Sequence, residues 1–341
     1  GSAYAPASGD TANASSGTAG AATGDASATG SSTGTDASQS GKGGSGLTLT
    51  DQKVKVTNNG SATANTGGNT ATGNNSVNNA DNDQDVDSDG NADVQSNTAD
   101  TGNRSNGSAS ITTGNATAIG NQSWTNVQQG DPSGGLAFVD QTAIITNDGE
   151  ADANTGRNDA IGNNSDNEAE NEQEVEGSDN GSVLSNNSDL SNESDGSADV
   201  TTGDASSTGS EARDSVNQWA AIAGGNSTGG IFDVEQTARV NNDGDADADT
   251  GRNDAVGNNS DNDAQNDQSV ETARGPPQRA DVILSNNANT TNSSDGSASI
   301  TTGDAEATGV SSTTHIHQDA NGVNDGLHFI DQTARVVNDG E

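Results

Sequence analysis

The best-formed ligand motif in the chain is an acidic run. Asp85-Val86-Asp87-Ser88-Asp89-Gly90-Asn91-Ala92-Asp93 follows a D-x-D-x-D-G-x-x-D spacing, which aims several carboxylate oxygens at one hard cation. Calcium is the candidate ligand, with Asp85, Asp87, Asp89 and Asp93 as its carboxylates. Ser96 stands where an EF-hand loop carries its bidentate Glu, and the matching stretches after Val175 and Val270 lack the pattern. A plain polar loop is the competing reading. His315, His317 and His328 are the only histidines. The first two alternate with Ile316 and Gln318, so they share the outer face of a strand and could hold a transition metal. No motif places a carboxylate beside them.

Catalysis has little to stand on. There is no Cys, nucleophile elbow, P-loop or dinucleotide fingerprint. Paired carboxylates are many, but no apolar pocket is available to raise the pKa of one of them. The chain is expected not to be an enzyme. Asn-x-Ser/Thr sequons are frequent, at Asn103, Asn106, Asn115, Asn121, Asn180, Asn192, Asn226, Asn289 and Asn292, and are candidate glycan sites on an exported protein.

The scaffold behind these residues is unusual. Of 341 residues, 51 are acidic and 11 basic, giving a formal charge of −40, and only 2% are aromatic. Leu, Ile, Val and Phe together supply roughly an eighth of the chain, below the ~20% at which a highly charged chain is usually disordered. A fat aliphatic core is excluded. The charge opposes binding to nucleic acid or anionic membranes, and no window is long and apolar enough for a membrane-spanning helix. Met is absent even at position 1, which suggests a processed N-terminus such as a removed secretory signal.

Order is signalled by repetition. Ile111-Thr112-Thr113-Gly114 returns as Val200-Thr201-Thr202-Gly203 and as Ile300-Thr301-Thr302-Gly303. Glycine triplets such as Gly60/Gly67/Gly73, Gly149/Gly156/Gly162 and Gly244/Gly251/Gly257 keep gaps of seven and then six. The first glycine of most triplets follows Asp or Asn, which reads as a hairpin turn in which Gly supplies φ > 0. Between glycines the pattern has period two, the mark of a β-strand. Phe232, Val234, Gln236, Ala238 and Val240 share one face. Val256, Asn258, Ser260, Asn262, Ala264, Asn266, Gln268 and Val270 share another, and Ile161 to Val175 repeats it. The acidic opposite faces must stay in water.

The expected fold is therefore all-β. Tandem repeats form a β-solenoid or a string of slender β-sandwiches, with a thin core of Ala, Val, Asn and Thr. The frame divides the chain into 1–46, a Gly/Ser/Ala-rich unit or arm; three β repeats at 47–130, 131–222 and 223–322; and an incomplete repeat at 323–341. The run Gly257-Asn258-Asn259-Ser260-Asp261-Asn262-Asp263-Ala264-Gln265-Asn266-Asp267-Gln268 resembles the Asn/Ser/Ala/Gln repeats of curlin-type and other bacterial or archaeal fibre proteins. That resemblance covers about a tenth of the chain and implies an extracellular β-fibre.

The function expected is a structural subunit of an extracellular filament or surface fibre. A repetitive adhesin stalk or ligand-binding surface protein is the alternative. Repeats that stack on neighbours need capped ends to stay soluble, and no cap is evident. Leu327, Phe329, Ile330, Ala334, Val336 and Val337 form the richest apolar run near either end. They are the expected assembly strand, joining copies head-to-tail. The expected partner is the chain itself, at the cell surface or beyond it.

Overall fold

Small residues alternating with charged ones over stretches of up to 21 residues can only be accommodated as long strands with one dry face and one wet face. The computed structural model describes residues 3–41, 47–88, 92–133, 136–177, 183–222, 231–272, 283–321 and 327–341. Nearly all of them are strand. A first coil holds β1 (Ala3–Ala22), β2 (Ala26–Ser40), β3 (Leu47–Asn65) and β4 (Thr70–Ser88). A second holds β5 (Ala92–Thr112), β6 (Ala116–Ser133), β7 (Leu136–Asn154) and β8 (Asp159–Gly177). A third holds β9 (Val183–Thr201), β10 (Ala205–Ile222), β11 (Ile231–Asp249) and β12 (Asp254–Thr272). Three strands of a fourth follow: β13 (Ile283–Thr301), β14 (Ala305–Asn321) and β15 (Leu327–Gly340).

Every strand pairs in parallel with its equivalent one coil away. The four sheets are β1-β5-β9-β13 (sheet A), β2-β6-β10-β14 (sheet B), β3-β7-β11-β15 (sheet C) and β4-β8-β12 (sheet D). Each sheet runs through all the coils, so the molecule is a β-solenoid-like repeat and not a string of sandwiches. Sheet A joins sheet B through short Thr-Gly-Asx corners such as Thr113-Gly114-Asn115. Sheet C joins sheet D through four-residue corners such as Thr155-Gly156-Arg157-Asn158. A coil is thus two long arms, one running out and one returning, with A packed on D and B on C.

The glycines do not make hairpins. Asp148-Gly149 lies inside β7, and the pairings are parallel. Among the described glycines only Gly68, in a corner, has a left-handed φ, at 79°. Arg157 and Arg252 take the same place in later coils, with φ of 62° and 58°. What the triplets supply is closeness. The first glycine of an arm meets the third glycine of the facing arm, so that a Cβ on Gly149 would lie 1.9 Å from the Gly209 carbonyl oxygen. Gly196 stands in the same relation to Gly257, also at 1.9 Å. The solenoid has a waist where backbone lies on backbone.

The ladder register passes over the third glycine in both strands of a pair, as at Gly162 and Gly257, and the alternation restarts there. Ala160 and Asn163 both face inward and are fully buried. Ile161 and Val256, expected on the amide face, therefore lie on the outer face instead. The remaining assignments of that face hold.

The apolar core is thin. Val54, Val56, Val127, Ala143, Ile145, Val216, Ala238 and Val240 form one cluster between sheets B and C. Alanines such as Ala62, Ala118 and Ala153 line the waist beside it. Ile111, Val200 and their alanine neighbours form the counterpart between A and D.

Replacing Gly149 by Ala is expected to cost roughly 3 kcal/mol or more, because the facing carbonyl has nowhere to go. Gly24→Ala, at a corner with no atom within 4 Å of its would-be Cβ, is expected to be near neutral. Urea unfolding midpoints of the two variants test the difference.

Candidate functional site: amide ladders and open edges

Between the apolar clusters the core is built from amides. Gln52, Gln141, Gln236 and Gln332 occupy one rung position on successive strands of sheet C. Each Nε2 donates to the Oε1 of the strand before it, at 2.8, 2.8 and 2.7 Å. Gln39, Gln129, Gln218 and Gln318 repeat the arrangement in sheet B, and Gln84, Gln173 and Gln268 in sheet D. The inward asparagines run the other way. Asn58 Nδ2 donates to Asn147, Asn147 to Asn242 and Asn242 to Asn338, at 2.7, 2.7 and 2.8 Å. In sheet D, Asn74, Asn163 and Asn258 form the same series.

An amide carries two N–H groups, and the second one ties the facing sheets together. Gln218 Nε2 also donates to the Gln141 carbonyl at 2.9 Å. Asn167 Nδ2 also donates to Ser105 Oγ at 3.0 Å. Buried polar groups are tolerated only when satisfied in this way. Gln218 and Asn167 are each bonded by their own copies on both sides and by a neighbour across.

Gln95 and Asp214 interrupt their ladders with a different kind of side chain. Gln95 stands below Leu184 and Leu284, is buried, and finds no hydrogen-bond partner for either amide atom among the described residues. Asp214 stands in a threonine ladder with Thr35, Thr125 and Thr314. Its Oδ2 accepts from Asn147 Nδ2 at 2.8 Å, as Thr125 Oγ1 accepts from Asn58. Burial pushes the Asp214 carboxyl up to about 6, with the Asn147 and Thr125 hydrogen bonds pulling it partly back.

The expected site residues fall as follows. Asp85 lies on the exposed face of β4. Asp87 is near the end of β4 and Asp93 near the start of β5, while Asp89 lies outside the described residues. Among the described residues no group of three or more His, Asp or Glu side chains converges as a metal site would require. His315 and His317 are exposed on β14, and His328 meets the edge of the Phe232 ring at a centroid distance of 6.0 Å. Of the sequons, Asn103, Asn121 and Asn192 are buried in the core, where a glycan has no room. The six assembly residues all belong to β15 but divide between its faces. Ile330, Ala334 and Val336 share the inward row of Val234, Ala238 and Val240, and Leu327, Phe329 and Val337 lie on the outer row.

β15 is the edge of sheet C, as β13 and β14 are of sheets A and B. The opposite end presents β1, β2, β3 and β4. At the β15 end the next acceptor in line is Gln332 Oε1 and the next donor Asn338 Nδ2. At the β3 end they are Gln52 Nε2, a donor, and Asn58 Oδ1, an acceptor. The two ends are complementary in hydrogen-bonding sense. The fold and its ladders define a parallel β-solenoid-like repeat protein. No family model, curated protein or solved structure matches the chain.

Gln95→Leu is expected to raise stability by roughly 1–3 kcal/mol, since it removes two unsatisfied buried atoms and restores a leucine ladder. Asp214→Thr tests the carboxyl. A buried acid with a raised pKa adds its stability below the unfolded value of 3.8 and loses it as pH rises through about 6. The variant is therefore expected to exceed the parent by roughly 2 kcal/mol at pH 8, allowing for partial solvent screening, and to lose that advantage near pH 4. Unfolding midpoints at the two pH values check both the size and the sign.

Proposed function

We propose that this protein is the structural subunit of an extracellular filament or surface fibre, growing head-to-tail along the solenoid axis by β-strand pairing. One observation carries the proposal. Among the described residues the strands at both ends have unpaired edges, and the donors and acceptors at one end complement those at the other. An open edge is a template for another strand. Because the two ends differ, their contact is heterologous and does not close on itself, which yields a filament and not a dimer. The acidic outer rows fit the same role. Asp166, Glu168, Glu170, Glu172 and Glu174 of β8 lie outward, and like-charged outer faces oppose sideways aggregation while the axis stays free to extend. The resemblance to secreted fibre proteins supports a place outside the cell.

Electron microscopy with fibre diffraction of the purified chain tests the proposal. Filaments with a meridional repeat of about 4.8 Å are expected, since the strands lie across the axis. Removing the residues after Gly326 is expected to shorten or abolish them. Isolated rods at every concentration would instead favour an adhesin stalk or a ligand-binding surface protein.

A further inference from the structure

We propose that the outer face of sheet B binds a neutral β-linked polysaccharide, with Trp124 and Trp219 as its two stacking surfaces. They are the only tryptophans of the chain. Both stand outward in that sheet, 49% and 39% exposed. They belong to β6 and β10, each of which is paired on both sides. Their exposure therefore owes nothing to the first or last strand of a sheet.

Each indole has a glycine on its own rung one coil earlier. Trp219 is paired with Gly130, and Trp124 with Gly34. A Cβ on Gly130 would lie 2.5 Å from Cε2 and Nε1 of Trp219, and one on Gly34 would lie 3.8 Å from Cε3 of Trp124. The Trp219 ring thus fills the space over the Gly130 backbone and buries it. It leans along the sheet where a side chain at Gly130 would have forced it upright. Neither glycine belongs to the waist triplets, and neither has a left-handed φ. Room for an indole is what they supply. Covering backbone in this way engages one face of the ring and leaves the other in water. In a chain that is only 2% aromatic, two such rings on one face mark a contact surface.

The ground between them is neutral. Trp124 and Gly130 lie on one strand, about 20 Å apart at ~3.3 Å per residue. Asn126 and Gln128 stand outward on that run, with Ser215 and Asn217 beside them on β10. From Thr117 to Gly130 no outward residue of β6 is charged, in contrast to the acidic row of β8. On the β2 side, Asp36 accepts from Asn126 Nδ2 at 3.1 Å. Next to the Trp124 ring, Ser32, Gln122, Glu211 and Arg213 line an open depression of about 360 Å³. There Gln122 Nε2 donates to Glu211 at 3.0 Å, and Arg213 lies 3.7 Å from the same carboxylate, so the two charges offset each other.

This set matches a sugar chain. A β-linked pyranose offers a flat C–H face to an indole, and its hydroxyls take amide and hydroxyl partners. An extended chain following the strands meets both rings. The charge of −40 repels a polyanion, and a polycation is drawn to the acidic row of β8. A neutral chain is subject to neither effect.

Titrating the purified chain with defined glycans, followed by tryptophan emission, tests the proposal. Cellohexaose and hydroxyethylcellulose are expected to shift the emission to the blue as water leaves the rings. Cellohexaose, long enough to reach both rings, is expected to bind roughly tenfold more tightly than cellobiose, which reaches one. Trp124→Ala and Trp219→Ala are each expected to abolish that length dependence, read from the indole that remains. Carboxymethylcellulose, with the same backbone and added charge, is expected to bind more weakly than hydroxyethylcellulose at low salt and to recover at high salt. An emission unmoved by cellohexaose and hydroxyethylcellulose overturns the proposal, and so does equal affinity of the parent chain for the two oligosaccharide lengths. Both of these readings come from the unsubstituted chain, so they stand even where a variant fails to fold. They are also independent of filament formation, because the face is exposed in a single copy.

Discussion

The ladder amides in the core of this protein, Gln141 and Asn147 among them, bond to the same amide one strand away. That condition governs the rest of the molecule. It demands parallel strands, because an antiparallel neighbour would not bring Gln141 over Gln52 and under Gln236. It demands constant register, because a slip by one residue would put every ladder in water and every outer carboxylate in the core. The acidic outer rows and the amide inner rows thus enforce one another. A chain with few aliphatic side chains obtains a unique fold from matching polar groups, where a conventional domain would rely on apolar volume.

Glycine sets how closely the two arms approach. Where Gly149 meets Gly209 and Gly196 meets Gly257 there is no space for a methyl group, and the arms come within backbone contact. On one side of the waist the inward residues are alanines, as at Ala118, Ala151 and Ala153. Away from it the arms part enough for Ile145, Val127 and the glutamines. The second N–H of amides such as Gln141, Gln218 and Asn167 then crosses that gap to the facing sheet. Spacing along the axis comes from the strands, and spacing across it comes from glycine, alanine and amide in turn.

Much of this is legible in the sequence. Period-two alternation marks the strands and the solvent-facing acids, and the repeated Asn and Gln positions mark the polar core. Two errors come from reading glycine locally. Asp148-Gly149 has the composition of a turn, yet its glycine is there for a contact with an arm 60 residues further along the chain, which local chemistry does not report. Ile161 reads as an inner-face residue, but the alternation restarts at Gly162, a consequence of register. Gln95 and Asp214 do not stand out in the chain, although alignment of the coils alone sets them opposite Leu184 and Thr125. The assembly residues are visible as one apolar run, but their division between the two faces of β15 depends on pairing with β11.

Hydrogen exchange of the side-chain amides, followed by NMR, addresses the central claim most directly. The Nδ2 protons of Asn147 and Asn167 and the Nε2 protons of Gln141 and Gln173 are expected to persist for hours, while those of the exposed Asn115 vanish at once. Loss of all of them at the rate of a free amide would mean that the core is not a ladder, and the parallel architecture would lose its physical basis.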